Sequence, residues 1–80
     1  MIRLKLLYFA SLRDAAGIAT EEIDTGAGDL AALYDDLRAR HGFSLPCERL
    51  RVAVDGAFAA WSDEPRAGSE VAFIPPVSGG

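Results

Sequence analysis

The sequence predicts an α+β domain in which one mixed β-sheet is crossed by a single main helix. Three observations carry that prediction. IRLKLLYF at positions 2–9 alternates with period two, and EVAFI at 70–74 does the same, so two strongly apolar strands stand near opposite ends of the chain. Between them, DLAALYDDLRARHG at 29–42 places Leu30, Leu33, Tyr34 and Leu37 at i, i+3, i+4 and i+7, the spacing of one helical face. Each strand needs a neighbour and a cover for its apolar side, and one sheet beneath one helix supplies both.

The elements follow in chain order. In the first strand Ile2, Leu4, Leu6 and Tyr8 share the inward face, and Arg3, Lys5, Leu7 and Phe9 share the outward one, which begins charged and ends apolar. SLRDAAG at 11–17 reads as a short helix capped by Ser11, with Asp14 in a capping-box position and Gly17 as its stop. ATEEIDT at 19–25 is a second strand that pairs back on the first, and GAG at 26–28 breaks the chain. The main helix has Asp29 as its N-cap; Arg38, Arg40 and His41 favour its negative C-terminal end, and Gly42 supplies a left-handed cap. Asp36 can pair with Arg40 one turn on. FSLPCE at 43–48 is a loop interrupted by Pro46. LRVAVDG at 50–56 is a strand with Leu50, Val52 and Val54 inward and an Asp-Gly turn, after which AFAAW at 57–61 returns as a short strand. SDEPRAGS at 62–69 is a turn-rich connection. In the last strand Val71 and Phe73 take one side and Glu70, Ala72 and Ile74 the other; Pro75 and Pro76 then end ladder pairing, because neither carries an N–H. A β-grasp, or ubiquitin-like, arrangement satisfies this order, although periodicity alone leaves the strand order open.

Composition excludes several classes of function. Eighty residues make one domain, with a body at 1–74 and an extended tail at 75–80. Half of the residues are hydrophobic, enough for a globular fold. No apolar run approaches the length of a membrane span, and the alternating start lacks the apolar centre of a signal peptide, so a cytoplasmic protein with no membrane partner is expected. The net charge is −4 and the eight basic residues are scattered, which argues against nucleic acid. The single cysteine, Cys47, excludes an internal disulfide, a cysteine-held iron–sulfur cluster and a cysteine-based zinc site.

The body also lacks a recognisable catalytic constellation. GAG at 26–28 has no Lys-Ser/Thr of a P-loop and follows no strong strand. His41 reads as a solvated helix-end residue, and Cys47 as a loop or packing thiol without an orienting group. The carboxylate pairs at 21–22, 35–36 and 63–64 read as solvated faces. Chemistry, if present, is expected in the tail. A C-terminal carboxylate becomes reactive once attack on ATP makes it an acyl adenylate. Gly79 and Gly80 give the slimmest approach to an activating site, since neither has a Cβ. Pro75 and Pro76 favour extended polyproline II, which lets the tail reach roughly 20 Å from the body, and Val77 can anchor it in an apolar channel.

EVAFIPPVSGG resembles the C-terminus of the MoaD-type sulfur carriers, the small subunits of molybdopterin synthase; LYFASLRDAAG is similar to that family's first strand and helix, and VAVDG to a later strand and turn. The resemblance spans essentially the whole chain. RAGSEV stands where the family usually has acidic DGDEV, and Asp55 where asparagine is common; both touch turns and leave the tail intact. The resemblance implies that Gly80 is adenylated by an E1-like ATP-dependent enzyme and converted to a thiocarboxylate with sulfur from a desulfurase- or rhodanese-type donor. It further implies that the tail, Pro75 to Gly80 with Ser78 included, enters the large subunit of a heterotetrameric synthase. There sulfur passes to cyclic pyranopterin monophosphate to build the molybdopterin dithiolene. The chain itself would bind no cofactor, since ATP is used by the activating enzyme and the catalytic groups belong to the large subunit. A thiamine-thiazole-type carrier, a ubiquitin-like modifier joined through Gly80 to lysines, and an inert interaction module are the alternatives.

A carrier must be held while its tail reacts. Leu7, Phe9 and Ile74 lie on the outward parity of the first and last strands, and Phe58 can join them from the short return strand. Neighbouring strands would make these one exposed patch beside the tail root, unless the sheet edge curls and buries them.

Overall fold

In the computed structural model, which describes residues 1–76, the chain runs β1 (Ile2–Tyr8), α1 (Ala10–Ala16), β2 (Thr20–Thr25), α2 (Leu30–His41), a 3-10 turn (Cys47–Arg49), β3 (Arg51–Val54), β4 (Ala57–Ala59) and β5 (Glu70–Ile74). Val77, Ser78, Gly79 and Gly80 lie outside the described residues. The sheet order is β2-β1-β5-β3-β4, with β1 and β5 parallel at the centre and the other pairs antiparallel. This is the β-grasp fold.

The period-two pattern sets the two faces. Leu4, Leu6 and Tyr8 of β1, Val52 of β3 and Val71 and Phe73 of β5 point to one side and are buried there with Leu30, Leu33, Tyr34 and Leu37 of α2. Aromatic rings bind this core: Phe73 lies 5.4 Å from Tyr34 and 6.1 Å from Trp61, and Tyr8 lies 5.5 Å from Phe43. Trp61 and Phe43 come from segments that read as loop or short strand, and their burial completes a core that the strands and helix alone leave open.

Helix α2 is held at both ends. The Asp29 carboxylate accepts from the Ala32 N–H at 2.8 Å, as its N-cap position predicts. The Asp63 and Trp61 carbonyls accept from the Leu30 and Ala31 N–H groups at 2.9 and 3.0 Å, so the turn-rich connection caps the helix. At the other end Gly42 takes φ +74° and donates its N–H to the Arg38 carbonyl. Asp55 and Gly56 both have positive φ, the type I′ turn expected of a two-residue hairpin. The Asp55 carboxylate also accepts from the Glu70 N–H at 2.9 Å, tying the hairpin to the start of β5.

Five expectations are corrected. Ser11 does not cap α1: the chain turns at Ala10 (φ +50°), the helix starts two residues earlier than a Ser11 cap would set it, and Phe9 occupies the cap position without a side-chain bond. With Ser11 inside the first turn, the capping box with Asp14 does not form. Arg40 does not pair with Asp36 but reaches Glu21 at 3.6 Å. Glu21 is not a solvated carboxylate, and His41 is not a solvated end residue. Glu21 lies on the inward parity of β2 opposite Leu6, where its Oε2 accepts from the Tyr8 hydroxyl at 2.7 Å and meets His41 Nε2 at 2.9 Å. The physical reason is register: pairing β2 on β1 carries Glu21 beneath the C-terminal turn of α2, where Tyr8 and His41 already lie edge to face.

Candidate functional site

On the sheet face away from α2, the parallel pairing of β1 and β5 decides what gathers where. Lys5 stands opposite Glu70 and forms an ion pair at 3.8 Å, so one end of this face is charged. Two residues on, Leu7 stands opposite Ala72, and the outward residues that follow are Phe9 and Ile74. Because the two strands run the same way, both change from charged to apolar at the same end, the end from which residues 75 and 76 leave.

A depression of about 270 Å³ runs along this face from Glu70 and Gly56 to that end, walled by Leu7, Phe9, Ile74 and Phe58 and lined below by Ala53 and Ala72, which face each other in the β3–β5 ladder. Phe58 is 67% exposed and Phe9 46%, while Leu7 and Ile74 are half-buried. The sheet edge therefore does not curl over them. The hollow arises because two alanines lie between larger side chains; leucine at either position would fill it. Its size suits a protruding side chain of a protein better than a cofactor, which needs roughly 300–1,000 Å³.

A second groove adjoins the first at the tail root, between Pro75 and Pro76, Ile74, Phe58 and the charged side chains of Glu48, Arg49 and Arg51. Arg51 pairs with Ile74 in the ladder and lays its guanidinium over the Phe58 ring, 5.1 Å from the centroid. Sequence reasoning missed Ala53, Ala72 and Arg51. The signal was their shared outward parity with Leu7 and Ile74, which carries meaning only once β3 and β5 are neighbours.

Among the described residues, no cluster of reactive side chains lies elsewhere to compete with this face. Burial and a hydrogen bond to Glu48 at 3.3 Å push the Cys47 thiol up from its ordinary pKa, away from the thiolate a nucleophile needs. Among the described residues, no three His, Cys, Asp or Glu side chains stand close enough to hold a metal ion, and no helix is long and apolar enough to cross a membrane. The Tyr8–Glu21–His41 cluster lies on the opposite side of the sheet, packed beneath α2. Gly79, Gly80, Val77 and Ser78, expected to be the reactive tail, lie beyond the described residues.

Residues 6–80 match the model of the ThiS family. The molybdopterin synthase sulfur carrier subunit of Mycobacterium tuberculosis is 36% identical, with the whole of both chains covered. The Escherichia coli protein of the same name is 31% identical, over 96% of this chain and 99% of that one. The crystal structure of small archaeal modifier protein 1 from Haloferax volcanii is similar with a TM-score of 0.81 at 26% identity, over 96% of this chain and all of that one. Matched along nearly its entire length and alike in fold, the chain belongs to the ThiS family, with molybdopterin synthase sulfur carrier subunits among its relatives.

Proposed function

We propose that this protein is the sulfur carrier of a molybdopterin synthase. Its Gly80 carboxylate attacks the α-phosphate of ATP on an E1-like enzyme, releasing pyrophosphate. A persulfide on the sulfur donor then displaces AMP from the adenylate to give an acyl disulfide, and a second thiol of the donor system takes over the S–S bond by exchange, releasing the Gly80 thiocarboxylate. The large synthase subunit holds the body while the tail enters its active site, where the thiocarboxylate sulfur bonds to cyclic pyranopterin monophosphate and water cleaves the resulting thioester, leaving sulfur on the pterin and a carboxylate on Gly80. The thiocarboxylate suits the task because its sulfur is anionic and nucleophilic at neutral pH. The proline pair keeps the tail extended, and the glycines let the reacting carbon pass a narrow channel.

The observation that carries this reading is the placement of the apolar depression. It runs along the sheet face up to Ile74, the residue from which the tail departs, so a partner gripping Leu7, Phe9, Phe58 and Ile74 has the tail directed into it. Full-length relatives named as molybdopterin synthase sulfur carrier subunits support the same reading. The test is reconstitution with a large synthase subunit and pyranopterin substrate. The thiocarboxylated protein is expected to form molybdopterin, and a variant lacking Gly80, or carrying an untrimmed residue after it, is expected to form none. Product from the extended variant would refute the reading.

Likeness to a small archaeal modifier protein favours a second reading, in which Gly80 is joined to lysines of other proteins. Intact-mass measurement on protein taken from cells separates the two. Exchange of one oxygen for sulfur at Gly80 marks a carrier, and branched lysine peptides mark a modifier.

A further inference from the structure

We propose that Arg51 is a specificity determinant of the docking face: the partner sets an apolar side chain in the depression and a carboxylate against the Arg51 guanidinium. The inference rests on the docking reading above and adds the charge the partner must carry.

Position comes first. Arg51 stands opposite Ile74, the last residue of β5, and shares its face with Ala53 of the depression. It therefore rises between the apolar hollow and the tail root, lining the groove that holds Pro75 and Pro76. Whatever grips the hollow and receives the tail must pass over it.

Preorganisation comes second. The guanidinium lies 5.1 Å from the centre of the Phe58 ring, and Phe58 is itself two-thirds exposed. Stacking restrains the long side chain, and the in-plane N–H donors at the edge of the fork stay available for a carboxylate. A restrained arginine loses less side-chain freedom on binding than one that must be ordered from solution.

Charge balance comes third. Glu70, the acidic residue lining the hollow, is engaged by Lys5, whereas Arg3 and Arg40 are engaged by Asp24 and Glu21. Arg51 has no carboxylate within 4.0 Å among the described residues. The tail-root groove contains Arg49 and Arg51 against the single acid Glu48, so this patch is net positive on a chain of net charge −4. Charge complementarity therefore calls for an acidic group beside the partner's apolar knob. Two acidic surfaces meeting elsewhere would repel, and Arg51 specifies where contact is favourable.

The test uses the full chain and the large molybdopterin synthase subunit of the same organism, titrated in a calorimeter. Wild type, Arg51→Gln, Arg51→Glu and Phe9→Arg are compared at low and at raised salt, and circular dichroism melts check that each variant is folded. Arg51→Glu is expected to weaken binding about tenfold or more at low salt, and Arg51→Gln about threefold, with a shallower salt dependence than wild type in both. Unchanged affinity and salt slope in Arg51→Glu, with binding lost in Phe9→Arg, would overturn the role of Arg51 and leave the docking reading standing. Undetectable binding by the wild type would overturn both.

Discussion

Removing the Glu21 carboxylate tests whether the polar cluster beneath α2 is a structural lock. Its Oε2 is the acceptor for the Tyr8 hydroxyl at 2.7 Å and sits 2.9 Å from His41 Nε2, while Oε1 faces Arg40 at 3.6 Å. Tyr8 is only 2% exposed, so Glu21→Ala leaves its phenol without a partner, at a cost of about 1–3 kcal/mol. Loss of the His41 bond adds about 1 kcal/mol, and the exposed Arg40 pair adds little. Water entering beside a side chain that is 17% exposed recovers part of this, so about 2–3 kcal/mol is expected in total. For a domain of this size that lowers Tm by about 10–20 °C. Glu21→Gln keeps an acceptor for Tyr8 and loses about 1 kcal/mol. The dependence on pH follows from the same geometry. Burial opposes ionisation of Glu21, but the hydrogen bonds from Tyr8 and His41 and the charge of Arg40 outweigh it and hold the carboxyl below its ordinary pKa. A carboxylate depressed on folding stabilises the protein above the ordinary value of 4.5 and loses that contribution as pH falls through the folded one. The gap between wild type and Glu21→Gln, measured in thermal melts across pH, therefore closes on acidification. A Glu21→Ala melt within about 3 °C of wild type at neutral pH, or a Glu21→Gln gap that persists undiminished into strong acid, would refute the assignment.

Other perturbations separate the frame from the face. Tyr34→Phe removes the donor to the Leu45 carbonyl at 2.6 Å and is expected to cost about 1–2 kcal/mol in urea denaturation, because that bond holds the loop after α2. Asp55→Ala loses the bond to the Glu70 N–H and places alanine at φ +50°, for about 1–2 kcal/mol, whereas Asp55→Asn keeps an acceptor and tolerates that backbone, and is expected within about 0.5 kcal/mol of wild type. Phe9→Arg changes an outward, half-exposed ring and is expected to leave Tm within about 3 °C of wild type while abolishing capture by a large synthase subunit; retained capture would count against the depression as the docking site.

Much of the frame was legible because local chemistry and tertiary context agree. The alternation in β1 and β5, the Asp29 and Gly42 caps and the Asp55-Gly56 turn each state their element, and each is found there. Ser11 misled because a serine before a helical run is a good cap only if the chain enters the helix at that residue, and the turn at Ala10 moved the entry. Glu21, His41 and Arg40 misled for a different reason. His41 continues the stripe of Tyr34 and Leu37, and Glu21 shares the parity of Ile23, but a polar side chain at the end of an element reads as solvated until its partners are known, and these stand 13–20 residues away in sequence. Phe43 sits in a loop with no periodicity, and Trp61 stands past the last residue of the short β4, so nothing local announced that both pack into the core.

By itself the sequence determined which residues alternate, which form a helical stripe, where glycine and aspartate permit a turn, and that an apolar strand leads into two prolines and two glycines. These follow from backbone sterics and side-chain period, which act over a few residues. Only the tertiary structure decided that β1 and β5 lie parallel and adjacent. That single pairing brings their apolar ends together beside Ala53 and Ala72, sets Phe58 and Arg51 next to them, and carries the hollow up to the root of the tail. Strand order and register depend on burying both apolar faces under one helix at once, a condition on the whole chain that no local window contains.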